Sequence, residues 1–146
     1  MPRTAAPPSH THSLRAAGMR QTPQREAILK VLKDSERPLT AEEIWSGMEK
    51  RRSGIPTVYR NLERFVSEGW AESLQGADQV MRFVLCRSPH HHHHLTCETC
   101  GRTVEVDGCA LEANLAAMEK ASGFLITRHQ LTLFGKCPAC QAAIEA

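Results

Sequence analysis

No stretch of the 146 residues holds the roughly eighteen consecutive apolar side chains that a membrane-crossing helix needs. The opening residues carry no apolar signal-peptide core either. The chain is therefore expected to be soluble, unexported and cytoplasmic, with no membrane partner. His-Glu-x-x-His is absent, which removes the helical zinc-hydrolase signature. No internal repeat exists beyond one duplicated cysteine knuckle, so a repeat array is excluded. Net charge is small, +2, and the length suffices for one domain or for two small ones that each need help beyond a hydrophobic core.

What the chain does have is soft metal ligands. His90 to His94 run into Leu95-Thr96-Cys97-Glu98-Thr99-Cys100-Gly101, and a second knuckle, Cys137-Pro138-Ala139-Cys140, lies near the C-terminus. Two residues between paired thiolates let both sulfurs enter one tight turn, and two such turns supply the tetrahedral set that zinc prefers. Four of six cysteines in such pairs, without a secretion signal, favour reduced thiolates on metal over disulfides. If the histidines form a strand, His90, His92 and His94 face one way and His91 and His93 the other, feeding two separate sites. Glu72, Cys86, Glu112 and His129 are candidates to complete them. An affinity tag or solvated tract is the plain alternative, but this run is internal and flanked by strand-like segments.

Charge is uneven: residues 1–70 carry a net +4 and residues 71–146 a net −2, which suits a nucleic-acid-facing front and a metal-binding back. Residues 1–13, rich in Pro, Ala, Ser and Thr, are expected to be a flexible tail in which His10 and His12 are solvated. A short helical turn from Leu14 to Ala17 should end at Gly18. Thr22 reads as the N-cap of a helix from Pro23 to about Lys33. Thr40 and Glu43 form a capping box for a second helix to about Arg52, burying Ile44, Trp45 and Met48. After Gly54 a third helix carries Val58, Leu62, Phe65 and Val66 on one stripe, with Tyr59, Arg60, Asn61 and Arg64 on the other face. Strands over Trp70 to Gln75 and Val80 to Cys86 close a hairpin around Gly76-Ala77-Asp78.

Three helices and a hairpin are the order of a winged helix, whose third helix enters the major groove. Thr57, Tyr59 and Arg60 sit where recognition residues belong, with Arg20 and Arg25 as further phosphate or groove contacts. An ordinary solvated helix face is the competing reading for these residues. Downstream, Thr103 to Val106 should be a strand, Ala110 to Ala121 a helix burying Leu111, Leu115 and Met118, and Phe124 to Phe134 a longer strand. His129 shares parity with Leu131 and Leu133 there, where a lone histidine is ordinarily a satisfied core residue. Glu112 equally fits an ordinary first-turn helix carboxylate.

The winged helix carrying Thr57-Val58-Tyr59-Arg60-Asn61-Leu62, followed by the histidine run, the two knuckles, Glu112 and His129, closely resembles the ferric uptake regulator family of bacterial metal-sensing repressors over roughly residues 14–140. The resemblance implies an α+β fold: a winged-helix DNA-binding domain over 14–86, then a hinge and C-terminal α/β dimerisation domain over 87–146. It implies structural zinc on Cys97, Cys100, Cys137 and Cys140. It implies a regulatory hinge site on Glu72, Cys86, His92 and His94, and a dimerisation-domain site on His91, His93, Glu112 and His129. Iron sensors of the family commonly place a histidine where Pro38 stands and a glutamate where Cys86 stands, so this chain looks most like the zinc uptake regulator branch. That branch commonly carries Asp at the position of Glu72.

The expected function is a metal-responsive repressor, not an enzyme. It would bind palindromic double-stranded operator DNA as a zinc-loaded homodimer and control zinc uptake genes. A thiolate with two imidazoles and a carboxylate suits tetrahedral zinc, with Fe2+ or Mn2+ as the alternatives at the regulatory site. The competing readings are an iron, manganese or peroxide sensor of the same family, a zinc hydrolase or deaminase, and a zinc-stapled interaction or storage module. Cys109 has no expected partner and reads as a spectator thiol.

Overall fold

The computed structural model describes residues 13–49, 53–76, 78–88 and 90–145. The tail expected over 1–13 falls almost wholly outside the described residues, as do Arg52 and Ala77. The described chain begins in a single turn over Leu14 to Gly18, closed by Met19 N–H donating to the Leu14 carbonyl and by Gly18 in the left-handed region at φ +66°.

Helix α1, Pro23–Asp34, starts as the capping residues dictate: the Thr22 hydroxyl accepts from the Arg25 N–H, and Pro23 occupies the first turn. Helix α2, Ala41–Gly47, opens on a full capping box in which Thr40 and Glu43 satisfy each other's backbone N–H groups. It ends well short of Arg52. Ser46 and Gly47 are weak helix formers, and the half-buried Trp45 indole donates its Nε1–H to the Ser53 carbonyl. Helix α3, Ile55–Ser67, buries Val58, Leu62 and Phe65 as its apolar stripe requires. Asn61, expected on the solvated face, is buried with them, because its amide donates to the Thr57 carbonyl and accepts from Arg25.

Strands β1, Ala71–Gln75, and β2, Met81–Leu85, pair antiparallel, and Leu39 bridges to Phe83 as a short third rung. These elements enclose a continuous apolar core that includes Ile28, Leu32, Ile44, Leu62, Phe65 and Trp70. Phe65 stacks on Trp70 with centroids 5.7 Å apart. The result is a winged helix.

The second sheet has the order β4-β3-β5, formed by β3, His92–Cys97, β4, Thr103–Asp107, and β5, Thr132–Gly135. β3 runs antiparallel to β4 and parallel to β5. Helix α4, Glu112–Ser122, and a C-terminal helix α5, Pro138–Glu145, complete an α+β chain. Helix α5 is absent from the sequence reading. Two further expectations fail here. Leu111 and Leu115 are only half-buried and Met118 is exposed, because among the described residues nothing encloses the apolar face of α4. Residues 124–131 are not strand, because pairing with β3 begins only at Thr132, opposite His94, and no other described segment supplies a ladder. No helix among the described residues is long and apolar enough to cross a membrane.

Candidate metal centres and nucleic-acid face

The pleat of β3 sorts the histidine run by parity. His92 and His94 stack edge to face at 5.0 Å, and His91 and His93 do the same at 4.6 Å in a separate group. His92, His93 and His94 are all buried, and His94 is completely so. Three of their ring nitrogens, His92 Nε2, His93 Nε2 and His94 Nε2, are enclosed without a hydrogen bond. Buried polar atoms normally find partners. Imidazole nitrogens without a hydrogen bond, beside thiols and carboxylates, are the donor types that transition metals take.

The first group lies between the winged helix and the second sheet. Ligand atoms of Glu72, Cys86 and His92 lie within 4.8 Å of one another, as do those of His92, His94 and Glu105. His94 Nδ1 is 2.8 Å from Glu72 Oε2, and His92 Nε2 is 3.8 Å from Glu105 Oε1. His92 donates its Nδ1–H to the His90 carbonyl at 2.8 Å, which fixes the tautomer and leaves Nε2 free to ligate. Burial and the neighbouring Glu72 and Glu105 push the Cys86 thiol far above its usual range. Burial alone would raise Glu72, but the adjacent His94, with His92 and His93, outweighs it and holds that carboxyl below its usual value. A divalent cation would supply the positive charge that three acidic groups around two imidazoles call for.

The four residues expected at the hinge are thus brought together, and Glu105 joins them unforeseen. Its signal lies in pairing: Glu105 stands opposite His94 across β3 and β4. Its carboxylate also accepts from the backbone N–H groups of Arg87 and Ser88, just beyond the wing. Other bridges join the two regions nearby. Thr103 N–H donates to the Glu36 carbonyl, and the Gln130 amide to the Ser73 carbonyl.

At the far end of β3, the sulfurs of Cys97, Cys100, Cys137 and Cys140 all lie within 4.8 Å of one another. The Cys100 and Cys137 sulfurs are 3.8 Å apart. A tetrahedral zinc with bonds of about 2.3 Å sets sulfurs roughly 3.8 Å apart, so the set fits that ion. Backbone N–H groups of Cys137 and Cys100 pull the Cys97 thiol down to about 6, favouring the thiolate that metal requires. Cys140, hydrogen-bonded to the Cys137 sulfur, is pushed up to about 12.

The third group forms on the opposite face of β3. His91 Nε2 lies 2.9 Å from His129 Nε2, and His93 packs against both rings. Burial and the neighbouring imidazoles lower both His91 and His93, favouring the neutral rings that bind metal. The fourth residue within 4.8 Å is Cys109; Glu112 is not in the group and is exposed on the first turn of α4.

On α3 the Tyr59 ring is partly exposed, packs edge-on to Phe83, and its hydroxyl lies 3.4 Å from Glu42. Arg60 is exposed and donates to the Thr57 hydroxyl at 3.1 Å. Arg25 is committed to structure, donating to Asn61 Oδ1 at 2.9 Å and to the Arg20 carbonyl at 2.8 Å. Arg20 itself is exposed beside them.

A winged helix joined through a cluster of metal ligands to a cysteine-bearing sheet is the build of a metal-responsive DNA-binding regulator. Comparison with known proteins agrees. The ferric uptake regulator family matches residues 16–134. The peroxide-responsive repressor PerR of Staphylococcus aureus is 34% identical over 131 residues, spanning 88% of this chain and 87% of its own. The holo form of XcZur superposes with a TM-score of 0.73 at 29% identity, covering 88% of this chain and 96% of that one. A zinc uptake regulator complexed with zinc and DNA shares the fold, with a TM-score of 0.79 at 21% identity over 91% of each chain. The ferric uptake regulator of Helicobacter pylori, which has three functional metal-binding sites, superposes less closely, at 0.60 with 25% identity over 88% of this chain and 86% of that one. The chain belongs to the ferric uptake regulator family of metal-responsive repressors, and its fold is like that of the zinc uptake regulator branch.

Proposed function

We propose that the protein is a zinc-responsive repressor that binds palindromic operator DNA as a homodimer and controls zinc uptake genes from the cytoplasm. The observation that carries this reading is the origin of the hinge donors. Glu72 and Cys86 come from the wing side, and His92, His94 and Glu105 from the second sheet. A cation held by both sides fixes the angle between them. If it binds the closed arrangement more tightly, it shifts the population toward the DNA-competent form. In a dimer, two α3 helices set about 34 Å apart, or a multiple of that, would read two half-sites.

In this reading Thr57, Tyr59 and Arg60 face the groove, with Arg20 and Arg25 at its edge, and the four-cysteine cluster holds structural zinc. Leu95, Val104, Val106 and Leu133 leave an exposed apolar stripe on the second sheet, consistent with a dimer contact. The thiolate of Cys86 with two imidazoles favours zinc, since manganese prefers oxygen donors.

The test is operator binding followed by fluorescence anisotropy in zinc-buffered solution. Cys86→Ser should need far more free zinc than the parent to bind the same operator. Unchanged zinc dependence would remove Cys86 from the regulatory site. The second reading, an iron-, manganese- or peroxide-responsive repressor, is favoured by the likeness to PerR and by two carboxylates at the hinge. Binding driven by Fe2+ or Mn2+ at lower free concentration than by zinc would establish that reading instead.

A further inference from the structure

We propose that Cys109, not Glu112, is the fourth ligand of the site that the family resemblance puts on His91, His93 and His129, which makes it a thiolate-containing site for a zinc-class divalent cation. None of these residues belongs to the hinge or four-cysteine clusters, so the site stands or falls apart from the regulatory reading.

The placement starts from one glycine. β4 ends at Asp107, and Gly108 takes the left-handed conformation at φ +83°, which side-chain-bearing residues rarely adopt. Its N–H donates to the His91 carbonyl at 3.3 Å, so the turn swings Cys109 back over the start of β3. From the other side, His94 N–H donates to the Leu131 carbonyl, holding the segment that bears His129 against the same strand. Cys109 Sγ then lies 3.2 Å from His129 Nε2, and His129 Nε2 lies 2.9 Å from His91 Nε2.

An independent observation points to a ligand. His93, in the same group, is only 6% exposed, and its Nε2 is enclosed without a hydrogen bond. Bonds of about 2.0 to 2.3 Å to nitrogen and sulfur place tetrahedral ligands roughly 3.3 to 3.6 Å apart, so the donors need to part by only about 0.4 Å from the 2.9 and 3.2 Å found to admit an ion. Three imidazoles and one thiolate suit zinc or its spectroscopic stand-in cobalt(II), and disfavour the oxygen-seeking ions. Glu112 has a sufficient reason to be where it is, since a carboxylate in the first turn of α4 complements the helix dipole.

The experiment uses the full chain with zinc retained on its four cysteines and Cys86→Ser silencing the hinge thiolate. Added cobalt(II) should produce a near-ultraviolet thiolate-to-cobalt charge-transfer band. Cys109→Ser should abolish the band and weaken cobalt binding roughly tenfold or more, at least the loss that removing even an outer partner brings. Glu112→Gln should keep the band. Its absence in the parent, its survival in Cys109→Ser, or its loss in Glu112→Gln each overturns the proposal. A second measurement avoids substitution at the site: in the unmutated chain, zinc beyond that on the four cysteines should slow alkylation of Cys109, read by mass spectrometry. An unchanged alkylation rate with the added zinc bound also overturns it.

Discussion

Up to Leu85 the chain buries hydrocarbon; beyond it, among the described residues, the buried atoms are sulfur and imidazole. The apolar core draws every member from Leu14 to Leu85. In the remainder the buried side chains are Cys86, His92, His93, His94 and Cys97, while Met118, Phe124 and Leu125 are 59%, 77% and 71% exposed. A region of some sixty residues has little surface to hide and usually needs a metal, a disulfide or a partner subunit. The two regions should therefore answer to different perturbations. One should respond to lost packing volume, the other to lost ligands.

The largest expected effect comes from removing a structural ligand. Structural zinc can contribute about 10 to 16 kcal/mol of apparent binding free energy, enough to decide whether a small region folds. Cys97→Ser, or strong chelation, should collapse amide hydrogen-exchange protection in β3 to β5 while leaving α1 to α3 protected. Equal loss in both regions would show that the winged helix also depends on that metal. Next, Phe65→Ala opens a cavity in the fully buried core and should cost about 3 to 5 kcal/mol in urea unfolding. Added zinc should not restore that loss; rescue by zinc would show that the two regions share one cooperative core.

Smaller again is Arg60→Ala, which should weaken specific DNA binding by about 1 to 3 kcal/mol if Arg60 reads a base. Metal stoichiometry should stay unchanged, and anisotropy beside a zinc titration separates the two readouts. The smallest effect lies at the wing tip. The Arg82 guanidinium grips both oxygens of Asp78 and holds that carboxyl at about 2, below its ordinary value. Because the folded value is depressed, this contribution is present above about pH 4 and fades as the pH falls toward 2. An NMR titration should find Asp78 at about 2 in the parent and near 4 in Arg82→Ala. An Asp78 value unmoved by that substitution would remove the pair from the account of the wing.

Much of this was written locally in the chain. The caps at Thr22 and Thr40, the stripe on α3 and the spacing of both knuckles follow from short-range rules of side chain and backbone, and the structure shows the corresponding turns. Alternation along a strand divided the histidine run before any partner was known. Residue type alone made Glu72 and Cys86 candidates, but only family resemblance assigned them to the hinge, since nothing local ties the wing to β3.

Tertiary structure decided the rest. Glu105 reaches the hinge because strand pairing sets it opposite His94, and Cys109 reaches the third group because a left-handed Gly108 reverses the chain. Asn61 went inward because Arg25 and the Thr57 carbonyl met its amide there. Among the described residues, 124–131 had the alternation of a strand but no neighbour to pair with, and α4 had an apolar face that nothing encloses. Short-range patterns determine caps, knuckles and parity because their forces act within a few residues. Which ligands share a metal, and which apolar faces are covered, depends on contacts between distant segments that exist only once the chain has folded.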